Sequence, residues 1–337
     1  MKWSVLDQSP CSEGHSEAQA IRESLLLAQD CDRLGYERFW LSEHHSLASV
    51  AGTAPEILAA AVAATTRRIR VGSAGVMLPH YSALKVAEQF RVLEAIAPGR
   101  IDLGVGRAPG SDGLTARALN PHSNVEDFPR QVQELDYWVR NEPLPQGHPY
   151  RGIVAHPSGP TSPELWILGS SSYGAQLAAH LGLPYAFAYF FSDGAGVEEA
   201  LALYRRLFRP SGRLAAPRAA VCVWALAADT AAEARRLLTA REHWRIGFEK
   251  GLRQPLVSPE TAAAHPYTDA ERATLERLRT AAFAGTAAQV AARLAELGRQ
   301  LGLDEMVINT WTYDPAARRH SYALLAAQLG LSPGEGG

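Results

Sequence analysis

The chain has 337 residues, of which 47% are hydrophobic and 20% are charged, and its formal net charge is −2. Its basic residues form no long run and are mixed with acidic ones, which argues against a nucleic-acid partner. No stretch of about 18 apolar residues is present that could span a membrane. The amino terminus has no basic region followed by an apolar run, so we expect a cytoplasmic protein. The expected partner is therefore a small molecule.

The three cysteines, Cys11, Cys31 and Cys222, are scattered along the chain. They are odd in number and lack the paired spacing of zinc ligands. We expect reduced, mostly buried thiols, and neither a disulfide framework nor a metal site.

Eight apolar, strand-like runs alternate with amphipathic helical patterns along the chain. The predicted strands are 3–6, 38–41, 69–76, 101–105, 165–168, 185–189, 219–227 and 306–309. The predicted helices are 17–34, 54–65, 83–97, 125–139, 173–181, 197–208, 231–248 and 287–301, followed by a closing helix at 315–329. Apolar strands separated by helices indicate a parallel sheet covered by helices, and eight such units favour a closed barrel over an open sheet. The predicted fold is α/β, a (β/α)8 TIM barrel with loop insertions.

Two segments rich in Pro and Gly interrupt this alternation, at about 141–163 and 250–285. We interpret both as insertions in loops of a single barrel domain over residues 1–330, followed by a tail over 331–337. Barrel strands direct their carboxyl ends to one face, so the second insertion, which follows the seventh strand, is expected near the mouth of the active site. We expect it to act as a lid.

The second predicted strand ends in a carboxylate and two imidazoles, Glu43, His44 and His45. Successive side chains of a strand point to opposite faces, so the two imidazoles cannot both enter one pocket or chelate one metal. One His is expected to face the chemistry and the other to pack. A purely structural role for either His remains open.

The fourth predicted strand leads into the sequence GVGRAPG. Its glycines permit close backbone approach, and Arg107 offers a permanently charged fork suited to phosphate oxygens. The third Gly of the run comes one residue late for GxGxxG and no helix begins directly after it, which disfavours a dinucleotide-binding fold. A turn with a surface Arg remains the alternative.

The fifth predicted strand ends GSSSYG and runs directly into a helix. Hydroxyls and backbone amides at a helix amino terminus suit an anion. Ordinary N-capping by Ser171 or Ser172 is the alternative for this loop alone. Combined with Arg107, the loop favours a phosphate site. A nucleophilic Ser is disfavoured, because GxSxG spacing is absent.

Three stretches resemble the bacterial-luciferase-like flavin monooxygenases: EHH after the second strand, the run VGSAGVMLPHYSALKVAEQFRVLEAIAPGRIDLGVGRAPG, and GSSSYGAQLAAHLGLP. The similarity extends over nearly the whole chain and is closest to uncharacterised single-component members. It implies a barrel that takes reduced FMN from a separate flavin reductase and uses molecular oxygen to oxygenate an organic substrate. It also implies a homodimer.

The resemblance assigns roles to residues on the second and third strands. His44 matches the active-site His that acts as an acid or base, for which an imidazole is suited because its pKa lies near neutral pH. Ala74 and Gly75 match the position where the family often has a cis peptide bond that supports the flavin ring. The sequence does not show whether the bond is cis here.

The resemblance also implies a phosphate site. Arg107 matches the phosphate-binding Arg, and Ser170, Ser171, Tyr173 and Gly174 occupy the positions of the phosphate loop. In the light-emitting branch the first of these loop positions is a carboxylate and the last is a hydroxyl. The individual hydrogen bonds of the loop therefore differ from those of that branch.

Two other functions remain open at this point. One is hydride transfer with a deazaflavin, which related barrels bind at a similar phosphate site. The other is a non-catalytic flavin-binding protein of the same fold. Trp224, Trp311, Tyr189 and Phe191 are candidates for lining a substrate cavity, although packing is the more frequent role of aromatic residues at strand ends. No substrate is predicted from them.

Overall fold

The computed structural model describes residues 1–332, so the predicted tail lies outside the described residues from residue 333 onward. The strands are β1 (Lys2–Asp7), β2 (Arg38–Leu41), β3 (Arg70–Met77), β4 (Ile101–Gly106), β5 (Glu164–Gly169), β6 (Tyr185–Ala188), β7 (Ala219–Ala228), β8 (Phe283–Thr286) and β9 (Glu305–Asn309). The α-helices are α1 (Glu17–Leu34), α2 (Pro55–Thr65), α3 (Ala83–Ile96), α4 (Gly113–Leu119), α5 (Phe128–Val139), α6 (Ser172–Leu181), α7 (Val197–Leu207), α8 (Ala231–Glu249), α9 (Pro259–Ala264), α10 (Asp269–Ala281), α11 (Ala287–Leu301) and α12 (Pro315–Gln328). Among the helices of this described part, none is both long and apolar enough to cross a membrane.

The strands are hydrogen-bonded in the order β6-β5-β4-β3-β2-β1-β9-β7-β8, and β6 also pairs with β7. The β6–β7 pairing closes the eight predicted strands into a parallel barrel with helices between them. This confirms the predicted (β/α)8 TIM barrel.

One strand was not predicted. β8 pairs in parallel with the end of β7, from Ala225 opposite Phe283 to Ala228 opposite Thr286. It has four residues and contains Gly285, so it lacks the apolar run by which the other strands are recognised. The predicted insertion at 250–285 is therefore largely regular, because it contains α9, α10 and β8.

Residue contacts divide the chain into two compact units. The first unit consists of Met1–Glu37, Leu47–Gly52 and the chain from Cys222 onward. In it β1 pairs in parallel with β9, and α12 packs on α1 and α11. The three cysteines are free and buried, and burial followed by the nearby Glu17 carboxylate raises the pKa of Cys11 to about 11.

The second unit consists of Arg38–Ser46 and Thr53–Val221 and contains the parallel strands β2 to β6. Strands β3 and β4 approach closely where glycines face backbone. A Cβ atom on Gly72 would lie 1.9 Å from the Asp102 carbonyl oxygen, and one on Gly104 would lie 2.3 Å from that of Ser73. The register of the two strands shifts between Ala74 and Val76.

A buried ionic cluster lies at the amino ends of the strands in this second unit. The Asp102 carboxylate, which is 0% exposed, accepts hydrogen bonds from Arg38 Nη1 (2.8 Å), Trp40 Nε1 (2.9 Å) and Arg70 Nε (2.9 Å). Glu164 accepts a further bond from Arg38 at 2.8 Å. Burial raises the pKa of Glu164, but Arg38 and other neighbouring guanidinium groups outweigh it and lower this pKa to about 2. At this end of the unit the carboxylates are paired with guanidinium groups of the same cluster. This is expected, because the face of a TIM barrel at the amino ends of the strands serves stability.

Candidate functional site

The predicted site residues lie in the second unit, at the carboxyl ends of β2, β3, β4 and β5. These four strands are consecutive neighbours and parallel, so their carboxyl ends share one edge of the sheet. The segments that follow them are Glu43–His45, the 3-10 turn Leu78–His80, the Arg107 loop and the Ser170–Gly174 loop. In α/β barrels this is the edge at which active sites lie.

His44 is half-buried directly after β2. Its Nδ1 atom lies 3.1 Å from Ser42 Oγ. Burial, followed by the effect of neighbouring His45, lowers the pKa of His44 to about 4. The imidazole is therefore neutral near pH 7 and a weaker base than a free imidazole. Within residues 1–332 its Nε2 atom has no hydrogen-bond partner, so this nitrogen is the one available to a ligand.

Glu43 joins the end of β2 to the end of β3. Its carboxylate is buried, and Oε1 accepts bonds from Tyr81 Oη (2.6 Å) and His45 Nε2 (2.7 Å). Oε2 accepts the backbone N–H of Met77 at 2.9 Å. Burial and then the bond to Glu43 raise the pKa of Tyr81, which keeps the phenol protonated as a donor. The carboxylate thus fixes the side chain of His45 and the backbone of β3.

The loop after β4 is fastened to the same group of residues. The His45 backbone N–H donates to the Gly110 carbonyl oxygen at 3.1 Å. His80 Nε2 donates to the Pro109 carbonyl oxygen at 2.8 Å. Gly110 has φ +62°, in the left-handed region that favours glycine. The loop that carries Arg107 is therefore held in place by residues that follow β2 and β3.

Arg107 is the cation at this edge. Its guanidinium carbon lies 3.8 Å from the centroid of the Tyr173 ring, in the first turn of α6. No carboxylate of the described chain pairs with this guanidinium. A partly buried Arg whose forked donors lack a protein acceptor is well suited to a phosphate or carboxylate ligand.

The amino terminus of α6 lies beside Arg107. Ser171 is the N-cap residue, but in the part of the chain described its hydroxyl does not bond to the first N–H groups of the helix. The Ser170, Ser171 and Ser172 side chains are exposed. Gly174 is buried, and a Cβ atom there would lie 3.2 Å from Tyr185 Cε2. The sequence alternative of N-capping by the Ser171 hydroxyl is thus not what the structure shows, and the N–H groups are open to an anion.

On strand β3, the peptide bond between Ala74 and Gly75 is cis, which the sequence had left open. A Cβ atom on Gly75 would lie 2.4 Å from Leu168 Cδ1 and 2.7 Å from the Gly104 carbonyl oxygen, so only Gly fits at this position without a shift of its neighbours.

The structure brings some of the predicted residues into contact and not others. Arg107 contacts Tyr173 of the Ser170–Gly174 loop. The roles of Met77 and Tyr81 are not predicted from the sequence, in which the only signal is their position just after the third predicted strand. Of the aromatic candidates, Trp224 and Trp311 are buried in the first unit, whereas Phe191 of the second unit is 54% exposed.

Comparison with known proteins gives the class of this chain. The luciferase-like monooxygenase family matches residues 1–305, so the chain belongs to that family. An Escherichia coli (strain K12) protein named luciferase-like monooxygenase is 39% identical over 325 residues, covering 96% of this chain and 95% of its own length. The Bacillus subtilis (strain 168) N-acetyl-S-alkylcysteine monooxygenase is 38% identical, covering 97% of each chain. The crystal structure of apo-MsnO8 has a TM-score of 0.90 and 36% identity, covering 98% of this chain and 99% of its own.

Proposed function

We propose that this oxidoreductase is a flavin-dependent monooxygenase that uses reduced FMN and molecular oxygen on a small organic substrate. The observation that carries the proposal is the Arg107 guanidinium, which is stacked on Tyr173 beside the uncapped amino terminus of α6 and has no carboxylate partner in residues 1–332. Family membership supports the monooxygenase class.

The donor set at this edge fits the phosphate of FMN. Arg107 supplies two parallel N–H donors, and the first turn of α6 supplies backbone N–H groups and the hydroxyls of Ser170 and Ser171. Gly174 lies against the ring of Tyr185, and a Cβ atom there would require this ring to shift slightly. We assign the phosphate to these residues and to Tyr173, and the flavin ring to the Ala74–Gly75 segment. Reduced FMN, when bound, supplies the electrons that activate oxygen.

His44 is the proton-transfer group in this proposal. Its imidazole is neutral near pH 7, and its Nδ1 atom is engaged with Ser42. Nε2 is therefore the atom that exchanges a proton with substrate or cofactor. Glu43 is a positioning residue, because it holds His45, Met77 and Tyr81 around this segment.

The partners are part of the same proposal. A separate reductase supplies the reduced flavin. The protein acts as a homodimer, and sedimentation velocity tests this oligomeric state directly. N-acetyl-S-alkylcysteines are the first substrates to examine, because the Bacillus subtilis relative named for them is 38% identical over 97% of this chain.

The test is an anaerobic titration of the purified protein with reduced FMN, in parallel with oxidised FMN and a deazaflavin. Oxygen is then admitted, and oxygen uptake and substrate oxygenation are measured. The expected result is preferential binding of reduced FMN, followed by substrate-dependent incorporation of oxygen from ¹⁸O₂ into the product. Preference for deazaflavin without oxygen uptake assigns hydride transfer instead, and flavin binding without any product assigns a non-catalytic flavin protein.

The His44→Ala variant tests the catalytic assignment separately. We expect turnover to fall by a factor of about 100 or more, the usual contribution of a general acid or base, while reduced FMN still binds. Full turnover on a confirmed substrate rules out a catalytic His44.

A further inference from the structure

The first unit contains a group of aromatic residues that the flavin site does not use. Trp244 and Phe248, one turn apart on α8, stack with ring centroids 4.9 Å apart. Trp244 also packs edge-on against Trp311, which follows β9, with centroids 4.6 Å apart. Arg241 of the same helix lies over the ring of Trp224, with its guanidinium carbon 4.2 Å from the ring centroid. Phe248, Trp244 and Trp311 are thus joined by ring contacts through Trp244, and we call these three residues the indole cluster.

Both indoles of this cluster, and the separate indole of Trp224, carry a buried N–H donor without an acceptor in the described chain. The Nε1 atoms of Trp224, Trp244 and Trp311 have no hydrogen-bond partner anywhere in the described chain. By contrast, the Nε1 atoms of Trp40, Trp138 and Trp166 donate to Asp102, Ile153 and Glu164. Buried donors in folded proteins are almost always paired, so two unpaired donors on the contacting residues Trp244 and Trp311 indicate acceptors that are not part of the protein, either a ligand or ordered water.

A cation lies at the edge of the cluster. The Arg253 guanidinium carbon is 4.7 Å from the centroid of the Phe248 ring, and no carboxylate within residues 1–332 pairs with it. The segment that carries Arg253 is fixed, because the Leu256 N–H donates to the Cys11 carbonyl oxygen (2.9 Å) and the Glu13 N–H donates to that of Leu256 (2.7 Å). The guanidinium of Arg253 therefore lies beside Phe248 on a loop that is hydrogen-bonded to the chain at Leu256.

We propose that the indole cluster and Arg253 form a binding site for an organic carboxylate with an apolar body and a second acceptor, such as an amide carbonyl. The carboxylate pairs with Arg253, the apolar body packs on Phe248 and Trp244, and the second acceptor takes the Trp244 indole N–H. This is the chemistry of an N-acylated amino acid with an apolar side chain. The proposal names the substrate class of the monooxygenase and rests on that function only for the bound molecule being a substrate.

The experiment measures binding without flavin, so it fails or succeeds independently of the flavin assignment. The probe is N-acetyl-S-benzylcysteine, and its methyl ester, which lacks the negative charge, is the matched control ligand. Quenching of intrinsic Trp fluorescence reports binding to the full-length protein. We expect saturable binding of the acid and affinity for the ester that is lower by a factor of about ten or more, as for loss of a charge-assisted hydrogen bond.

Three variants locate the site. Trp244→Phe keeps an aromatic ring and removes the N–H, and should weaken binding of the acid about fivefold. Arg253→Ala should weaken binding of the acid to the level of the ester and leave the ester unaffected. Trp3→Phe is the matched control, because Trp3 pairs with Met306 at the other end of β9 and should bind as the wild type does.

Equal binding of acid and ester by the wild-type protein overturns the proposal, whether or not the variants fold. So does wild-type affinity in a folded Trp244→Phe variant. If water alone satisfies the indoles, the probe does not bind saturably and the proposal is wrong.

Discussion

The two ends of the strands in the second unit use arginine in opposite ways. At the amino ends, Arg38 and Arg70 are matched to Asp102, and their donors are satisfied within the fold. At the carboxyl ends, Arg107 is matched to no carboxylate of the described chain and stacks on Tyr173. The buried charge of Asp102 is compensated by the protein itself, whereas the partly buried charge of Arg107 is left for solvent or a ligand to compensate. We therefore expect the amino ends to stabilise the fold, and we propose that the carboxyl ends bind a ligand.

Removing the carboxylate charge at the amino ends should have the largest effect on stability. Asp102→Asn removes the fully buried carboxylate that Arg38 and Arg70 share and leaves Arg38 paired with Glu164 alone, so the free energy of unfolding should fall by about 3–5 kcal/mol. Urea denaturation followed by circular dichroism measures this. Asp127→Asn is the control, because its pair with Arg130 is exposed and should contribute less than about 1 kcal/mol. Equal losses for the two variants would contradict the stabilising role.

Removing the cation at the carboxyl ends should affect binding instead. Arg107→Ala should weaken binding of reduced FMN about a hundredfold, as expected for loss of a bidentate ionic contact. Its free energy of unfolding without ligand should fall by no more than about 1 kcal/mol, the value of the lost contact with Tyr173. Reduced riboflavin, which lacks the phosphate, is the control ligand. If Arg107→Ala weakens riboflavin and FMN equally, Arg107 does not bind the phosphate.

A smaller effect is expected at the N-cap of α6. Ser171→Ala should change the free energy of unfolding by less than about 0.5 kcal/mol, because the hydroxyl makes no capping bond in the described structure. Affinity for reduced FMN should fall about fivefold, as for loss of one neutral donor. Ser258→Ala is the comparison, since the Ser258 hydroxyl caps α9 through Thr261 N–H and should lower stability by about 1 kcal/mol. Greater destabilisation by Ser171→Ala than by Ser258→Ala would show that Ser171 is a structural cap.

The last prediction concerns the protonation state of His44. The pKa of His44 is lowered from 6.5 to about 4, so between these pH values the unfolded chain binds a proton that the folded chain does not. The contribution of His44 to the free energy of unfolding is therefore lost as the pH falls from 6.5 to about 4. In NMR spectra the His44 ring signals, assigned by comparison with His44→Ala, should not titrate between pH 8 and pH 5.5. The urea-unfolded protein is the control, in which His44 should titrate with its ordinary pKa. Titration of His44 near pH 6.5 in the folded protein would show that its pKa is not lowered by the fold.

The sequence predicted the barrel because the signals for it are local. Eight apolar strands separated by amphipathic helices are each recognisable from a short window of residues. β8 was missed for the same reason, since a four-residue strand containing Gly285 has no such signal and exists through its pairing with β7. Helices α9 and α10 were missed because the Pro and Gly residues around them indicated an irregular insertion.

By itself, the sequence determined which residue types stand at the strand ends, and hence His44, Arg107 and the serine loop as candidates. Only the tertiary structure decided which of them are left without a protein partner. The bonds from Glu43 to Met77 and Tyr81 join residues 34 and 38 positions apart, and they depend on the parallel register of β2 and β3. The open amino terminus of α6 and the unpaired indoles depend in the same way on what packs around them. The sequence sets which side chain stands at each position, whereas the fold sets which hydrogen-bond and ionic partners that side chain finds.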